Sequence, residues 1–269
     1  MTIEEYIDNI INKIDQSSNN KYKDLYEYFL THCGFSITST RLNIGFDTYR
    51  IRDYQDISEI NNKNDVKYPH FSHSFSRIGK PNQIWFYISD DYQASFAEML
   101  PIWYKKVNAG TNIKIILSIW HIRQEIKVLI IPDLKNINEV CKRLDLSTYL
   151  NEKDFWSYIC ERFGTSTLDD ENIYLFTSAF ANALIDRAKM EGKEFDGIFY
   201  PSVQYPFKSN IALLPSCVDY EKVILRSLLK GEFKKSYILN IQGTPNYEQI
   251  SDFEQGFYDP DKDVISWTK

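Results

Sequence analysis

Cysteine, paired metal ligands and long apolar segments are all scarce in this sequence, and each absence excludes a class of protein. Only four of the 269 residues are cysteines, and they show no paired spacing, so buried free thiols are expected rather than a disulfide or metal framework. His70 and His73 form an H-x-x-H pattern without a third ligand at a convincing spacing, which favours a loop pair over a zinc site. The longest apolar runs, such as residues 126–131, are far too short to span a bilayer.

Charge and motif content exclude further classes. The net charge of −6 has no basic stripe, which argues against non-specific nucleic-acid binding. The dinucleotide-binding, P-loop and nucleophile-elbow motifs are missing from the sequence. The first residues are acidic and lack the basic and apolar regions of a signal peptide, so a cytoplasmic protein without membrane contact is expected.

The sequence is rich enough in apolar and aromatic residues, at 43% and 15%, for a packed globular protein. The predicted strands and helices do not alternate regularly, which indicates an α+β fold. We expect a helical extension over residues 1–44, a main domain over residues 45–217, and a C-terminal strand and wrap over residues 218–269 that completes it.

Periodicity and capping residues predict the individual elements. Two amphipathic helices, from Ile3 to Ile14 and from Tyr22 to Leu30, either cover the core or form a partner surface. Residues 58–67 are predicted to be a loop, residues 233–241 an edge strand, and residues 245–263 a loop-rich wrap. The remaining strands are predicted at residues 45–53, 112–120 and 125–131, and the remaining helices at residues 137–144, 152–163 and 171–191.

Residues 71–104 form the stretch around which the chain is organised. Residues 84–89, IWFYIS, are β-branched and aromatic, as in a buried strand. Asp90 and Asp91 follow as candidates for a helix N-cap. From Tyr92 onward the apolar residues recur at helical spacing, which predicts a helix packed on the strand through Phe96, Met99, Leu100 and Trp103.

A second stretch, residues 195–215, contains a short apolar strand that runs into Tyr200-Pro201-Ser202, and a further strand, residues 211–214, after Asn210. Together the two stretches resemble the RES domain, a family of bacterial toxins named for its Arg, Glu and Ser. The resemblance rests on the spacing of Arg77, Tyr87 and Glu98, the helix start YISDDYQASFAEM, and the segments DGIFYPS and SNIAL.

The resemblance implies an ADP-ribosyltransferase-like fold, in which a split, mostly antiparallel sheet is surrounded by helices. It also implies degradation of NAD⁺ at the bond between nicotinamide and ribose, through an oxocarbenium-like transition state. One departure from the family pattern follows Arg77, where this chain has Ile78-Gly79 instead of an aromatic residue or Met followed by Asn.

Three residues would bind the pyrophosphate and the nicotinamide of NAD⁺ if the resemblance holds. Arg50 and Arg77 would bind the pyrophosphate, because a guanidinium is bidentate and always charged. Taken alone, an arginine in a strand is more often a surface salt-bridge partner. Tyr87 would stack against or orient the nicotinamide, and without the resemblance it reads as a packed core residue.

Three further residues would act on the ribose and the nucleotide. Glu98 would stabilise positive charge at the anomeric carbon, with a solvated helix carboxylate as the alternative. Ser202 would hold the substrate or the nucleophile, or else cap the turn before it. Asn210 would donate to the nucleotide or close a loop.

Three functions remain open at this point. The first is a toxin-like NAD⁺ glycohydrolase or NAD⁺ phosphorylase that uses water or inorganic phosphate as acceptor, without a cofactor beyond its substrate NAD⁺. The second is an ADP-ribosyltransferase that modifies a protein or nucleic acid. The third is a catalytically silent module that binds a nucleotide or a partner, which the Ile78-Gly79 departure favours. An antitoxin protein and a second copy of the chain are the candidate partners.

Overall fold

The computed structural model describes residue 5 and residues 20–31, 34–54, 60–132, 152–166, 172–205, 208–239 and 245–268. Within them, six helices and eleven strands have defined bounds, and the strand pairing is mostly antiparallel, which confirms the predicted α+β class. In chain order these elements are α1 (Lys21–Thr31), β1 (Ser39–Leu42), β2 (Asp47–Tyr54), α2 (Lys63–Val66), β3 (Phe86–Ser89), α3 (Tyr92–Lys106), β4 (Asn112–Ile122), β5 (Ile126–Ile130), α4 (Lys153–Gly164), α5 (Ile173–Met190), β6 (Gly197–Pro201), β7 (Ser209–Leu213), α6 (Ser216–Asp219), β8 (Val223–Leu239), β9 (Pro245–Gln249), β10 (Glu254–Asp259) and β11 (Val264–Trp267).

The chain divides into two compact units, each built from three separate segments. Unit 1 consists of Met1–Arg41, Pro69–Trp85 and Lys127–Phe207, and unit 2 consists of Leu42–Tyr68, Phe86–Ile126 and Lys208–Lys269. The predicted boundaries after residues 44 and 217 stay a prediction. Among the described residues, none of the helices is both long and apolar enough to cross a membrane.

Helices α1, α4 and α5 and the parallel strands β5 and β6 make up most of unit 1. The stripe predicted from Tyr22 to Leu30 forms α1 and buries Leu25 and Phe29. The Phe29 ring meets the Phe180 ring of α5 edge-on at 5.3 Å. Helices α4 and α5 confirm the predictions at residues 152–163 and 171–191, whereas the stripe from Ile3 and the helix at residues 137–144 lie outside the described residues.

Unit 2 is built on an antiparallel sheet with the strand order β7-β3-β2-β4-β8-β10-β11, to which β9 is added alongside β8. Helix α3 packs Trp103, which is fully buried, against a core cluster of β2 and β4 that contains Ile51, Ile113 and Ile115. Strands β2, β3, β4 and β7 confirm the predictions made for those segments to within a few residues.

The C-terminal predictions were wrong in two respects. The predicted edge strand at residues 233–241 is part of the 17-residue β8, which pairs with β4 on one side and with β10 and β9 on the other. The predicted wrap at residues 245–263 contains β9 and β10. Alternating burial is weak in β10, because Glu254, Gln255 and Phe257 are all exposed, so pairing rather than an apolar face specifies the strand.

The predicted loop at residues 58–67 contains one turn of helix, α2. Asn62 caps its first turn by accepting from the Asn64 amide at 2.8 Å, and Asp65 accepts in return from the Asn62 amide at 2.9 Å. This reciprocal arrangement is a capping box, which stabilises a helix start even in a polar segment. The sequence signal was therefore present but lacked the apolar run that usually follows it.

Candidate functional site

In unit 2, a strand, a tight turn and a helix place the first group of candidate residues, as the sequence predicts. Asp91 is the N-cap of α3, and its Oδ1 accepts from the amides of Gln93 and Ala94 at 2.8 and 3.3 Å. Its Oδ2 lies 3.0 Å from the Lys208 Nζ. Asp90 does not cap the helix, because its Oδ1 accepts instead from the Ser209 amide at the start of β7, at 3.0 Å.

These two adjacent carboxylates have pKa values shifted in opposite directions. Burial raises the pKa of Asp90 above its ordinary value, and the Ser209 amide and the charge of Lys208 offset only part of that effect. For Asp91, burial acts in the same upward direction, but hydrogen bonds from Lys208 and the first amides of α3 outweigh it and lower the pKa. The turn therefore contains one carboxylate that is costly to ionise and one that is stabilised as an anion.

Strands β2 and β3 pair at one register position, Tyr49 with Ser89. Because opposed residues alternate between bonded and non-bonded pairs in an antiparallel ladder, the next pair of the same kind would be Ile51 with Tyr87. At that position, side chains bind the backbone groups of both strands. The Ile51 amide donates to the Ser95 hydroxyl of α3 at 2.9 Å.

On β3, the Tyr87 carbonyl oxygen accepts from the Arg50 Nη1 at 2.6 Å. The Arg50 guanidinium carbon also lies 5.5 Å from the centre of the Phe86 ring. Since successive residues of a strand point to opposite faces, Phe86 lies on the other face of β3 from Tyr87 and Ser89. Arg50 is thus linked to Tyr87 through the backbone carbonyl.

Glu98 is connected to the sheet through two buried polar side chains. Asn210 Nδ2 donates to the Glu98 Oε1 at 2.9 Å, and the Ser89 hydroxyl donates to the Asn210 Oδ1 at 2.5 Å. Asn210 and Ser89 are directly opposite each other on β7 and β3, and only 5% and 3% of their surfaces are exposed. The three residues therefore form a continuous hydrogen-bonded chain from β3 through β7 to α3, which we call the Glu98 relay.

Arg77 lies in unit 1 and is also buried. Its Nη1 donates to the Thr165 carbonyl at 3.0 Å, and its guanidinium carbon lies 5.0 Å from the centre of the Tyr174 ring. The next residue, Ile78, is fully buried, and its carbonyl accepts from the Asn182 Nδ2 of α5 at 3.0 Å. These contacts hold the arginine loop against α5, so Arg77 is no surface salt-bridge residue.

Gly79 accounts for the local sequence after Arg77. Its carbonyl accepts from the Ser76 amide at 2.9 Å, and its own amide donates to the Ser76 hydroxyl at 3.0 Å, which closes a tight turn. A Cβ at Gly79 would lie 2.8 Å from the Cδ1 of the buried Trp85. The turn therefore has no room for a side chain at this position, which explains a glycine at the second position after Arg77.

Ser202 also lies in unit 1, directly after β6, and is largely buried. Its hydroxyl oxygen accepts from the Tyr205 amide at 3.1 Å and so caps the turn that follows it, whereas the predicted alternative to substrate binding was a cap of the preceding Tyr200-Pro201 turn. Close by in the same turn, Gln204 Nε2 donates to the Ser166 hydroxyl at 3.3 Å.

Sequence reasoning missed Ser89, which donates to the candidate residue Asn210, and Ser95, which accepts from the Ile51 amide. Both are hydroxyl residues next to apolar positions of a strand or helix, and that placement is the only sequence signal that could have identified them. Within the described part of the chain, no group of three His, Cys, Asp or Glu side chains could hold a metal ion. Cys160 and Cys217 are buried free thiols, as predicted, while the other two cysteines lie outside the described residues.

No family model matches the sequence, and the search of curated proteins likewise found no match. Function is therefore inferred from the residues themselves and from the resemblance to RES domains. The candidate residues of unit 2 are Arg50, Tyr87, Glu98 and Asn210, and those of unit 1 are Arg77 and Ser202.

Proposed function

We propose that this protein is a toxin-like enzyme that cleaves the nicotinamide–ribose bond of NAD⁺, with water or inorganic phosphate as acceptor. The observation that carries the proposal is the Glu98 relay, in which a carboxylate on a helix is held by a buried amide at 2.9 Å. A solvated surface carboxylate has no need of such support. A carboxylate that must meet a developing positive charge does, because preorganised groups stabilise a transition state without reorganisation.

The chemistry of the bond matches an oriented carboxylate. As nicotinamide leaves, it takes the bonding electron pair and becomes neutral, and positive charge develops on the ribose. A nearby anion stabilises that charge more than it stabilises the ground state, where the charge is on the nicotinamide ring. Glu98 is the residue that we assign to this role, and Tyr87 is assigned to the nicotinamide.

The limited pairing of β2 and β3 supports the proposed ADP-ribosyltransferase-like split of the sheet. Next to the Tyr49–Ser89 pair, Ser95 accepts from the Ile51 amide and Arg50 donates to the Tyr87 carbonyl, so side chains satisfy both backbone groups. A buried backbone group without a partner is costly, so such side-chain partners are expected wherever a sheet is split.

Arg50 and Arg77 are proposed to bind the pyrophosphate. Both guanidinium groups are buried and held by backbone carbonyls, at 2.6 Å for Arg50 and 3.0 Å for Arg77. The bond to a carbonyl orients the guanidinium, and its permanent charge attracts phosphate oxygens. Ser202 is proposed to contact the substrate or the acceptor through its hydroxyl.

The catalytically silent alternative was based on Ile78-Gly79. The packing of Gly79 against Trp85 gives these residues a local structural cause, which weakens that alternative. Transfer of ADP-ribose to a macromolecule shares the same bond cleavage and is treated as an outcome of the test. An antitoxin partner, a second copy of the chain and a cytoplasmic location stay predictions.

The test is nicotinamide release by purified protein, with and without inorganic phosphate. We expect NAD⁺ to be consumed, with ADP-ribose as product when water is the acceptor and its phosphate ester when phosphate is. Glu98→Gln should lower kcat by about 10²-fold or more with little change in KM, because the charge acts mainly in the transition state. The matched control is Glu248→Gln, an exposed glutamate on β9, which should behave as wild type.

Two results would contradict the proposal. If the wild-type protein leaves NAD⁺ intact under both conditions, the enzyme hypothesis is wrong. If NAD⁺ is consumed but Glu98→Gln keeps the wild-type rate, the carboxylate has no catalytic role. Labelled ADP-ribose recovered on a protein or nucleic acid would instead identify the macromolecular transferase.

A further inference from the structure

We infer that Asn210 and Ser89 are positioning residues that hold the Glu98 carboxylate in one orientation, and that Asn210 is not a nucleotide ligand. The inference rests on the proposed role of Glu98. It assigns a function to Ser89, which sequence reasoning missed, and replaces the nucleotide contact expected of Asn210.

The geometry of the Glu98 relay is set by the sheet. Ser89 and Asn210 are opposed residues of the β3–β7 ladder, and the adjacent backbone bond from the Asp90 amide to the Ser209 carbonyl, at 3.1 Å, extends the pairing beyond them. Opposed side chains in an antiparallel pair lie on the same face. The sheet therefore fixes the backbone of Asn210, and its side chain lies between Ser89 and Glu98 of α3.

The direction of each hydrogen bond follows from the chemistry of the three groups. An ionised carboxylate can only accept, so Asn210 must present its Nδ2 to Glu98. The Asn210 Oδ1 then faces Ser89, whose hydroxyl can donate to it. A flipped amide would place two oxygens against each other in a buried setting, which is unfavourable. With Glu98 as acceptor and Ser89 as donor, the two hydrogen bonds fix which way the Asn210 amide points.

Each end of the Asn210 amide has a protein partner, and the residue is 5% exposed. A nucleotide contact would require one of these bonds to be exchanged for a bond to the ligand. Positioning of Glu98 explains the same residue without such an exchange.

A purely structural role, in which the relay only pins α3 to the sheet, predicts lower stability in the variants but no change in how activity depends on pH. A positioning role predicts a specific change in Asn210→Asp. This variant places a second carboxyl next to the Glu98 Oε1, so the pair retains a proton that the wild-type arrangement does not hold. Activity that needs ionised Glu98 should then appear only at higher pH.

The experiment measures kcat and KM for nicotinamide release as a function of pH in wild type, Asn210→Asp, Asn210→Ala and Ser89→Ala. We expect the acidic limb of kcat to move to higher pH in Asn210→Asp. In Asn210→Ala we expect kcat to fall about 10-fold or more with KM nearly unchanged. A misdirected Glu98 would stabilise the transition state less, while substrate binding would be little affected. Ser89→Ala should cause a smaller loss of kcat, because the bond to Glu98 remains while the amide loses its orienting partner.

The pH shift can be attributed to the substituted pair because the other charged groups on the surrounding elements are unchanged. Among them are Arg50 on β2, Asp90 and Asp91 before α3, and Lys208 before β7; the others are Asp47, Arg52 and Asp53 on β2 and Lys105 and Lys106 at the end of α3. Thr38→Val is the control for loss of a buried hydroxyl, because the Thr38 Oγ1 has no hydrogen-bond partner, and it should leave the kinetics unchanged.

Failure of this inference is distinguishable from failure of the proposed function. If wild type consumes NAD⁺ and the two Asn210 variants keep its kcat and pH profile, the relay has no positioning role while the enzyme proposal stands. If wild type leaves NAD⁺ intact, urea unfolding of Asn210→Ala, Glu98→Gln and the double variant decides: additive losses would overturn the pairing, and non-additive losses would support it. If Asn210→Asp does not fold, an unchanged kcat in Ser89→Ala would overturn the inference.

Discussion

Replacing Lys235 by methionine should destabilise unit 2 by about 2 kcal/mol. Lys235 is a buried residue of β8, with 7% of its surface exposed. Its Nζ donates to the carbonyl oxygens of Val107, Tyr104 and Trp103 at 2.5, 3.0 and 3.4 Å. These carbonyls lie at the C-terminal end of α3, where helix carbonyls have no partner within the helix and carry partial negative charge.

The size of the effect follows from which carbonyls lose a partner. The Trp103 carbonyl also accepts from the Val107 amide at 3.0 Å, so it stays satisfied when the lysine is removed. The carbonyls of Tyr104 and Val107 lose a charge-assisted bond, at roughly 1–3 kcal/mol for each unsatisfied group. Methionine fills similar space and removes the cost of burying an ammonium, which offsets part of the loss. Because a thioether cannot donate, we expect the loss to dominate.

The assay is urea unfolding followed by far-UV circular dichroism and tryptophan fluorescence, with agreement of the two signals as the check for two-state behaviour. The matched control is Lys234→Met, the exposed neighbour on the same strand, which should change the free energy of unfolding by no more than about 0.5 kcal/mol. If Lys235→Met is as stable as Lys234→Met, the reasoning about the end of α3 is refuted. Since α3 carries Glu98, a confirmed loss would also link the stability of this helix end to the candidate site.

Two further predictions concern the turn before α3 and the loop after Arg77. Because burial raises the pKa of Asp90, its contribution to stability is lost as the pH rises through that pKa, so Asp90→Asn should gain stability relative to wild type from acid to neutral pH. Asp91 has a lowered pKa, so Asp91→Asn should be less stable than wild type near neutral pH, and the difference should shrink in acid. If the urea midpoints of both variants, measured relative to wild type, move in the same direction as the pH rises, this account is wrong. Gly79→Ala should destabilise by roughly 1–3 kcal/mol, because its Cβ would meet the buried Trp85 at 2.8 Å. In the same thermal melts Gly34→Ala, where nothing lies within 4 Å, should be neutral, and equal melting temperatures for the two variants would show that the Gly79 turn can adapt.

The sequence by itself determined the local elements of the candidate site. The strand at β3, the turn and helix α3 were predicted because each depends on neighbours within a few residues, through strand composition, the Asp91 cap and helical spacing. For the same reason the predictions of α4, α5, β4 and β5 agree with the structure. The general class, α+β, followed from their irregular order.

Only the tertiary structure decided which side chains meet. Asn210 and Glu98 are separated by 112 residues, and no periodicity in either segment indicates their hydrogen bond. The same holds for Arg50. It was expected only as a pyrophosphate ligand, and it donates to the Tyr87 carbonyl of β3. Long-range partners depend on sheet register, and a strand's own sequence specifies which of its faces is buried but not which residue lies opposite.

The C-terminal strands illustrate the same limit. Strand β10 has exposed residues on both faces, so it shows little alternation, and its place in the sheet depends on pairing with β8 and β11. Backbone hydrogen bonds can hold such a strand whatever side chains it carries, since every non-proline residue offers the same donor and acceptor. The sequence therefore predicts strands that bury a face, and only the assembled sheet reveals those that are held by their neighbours.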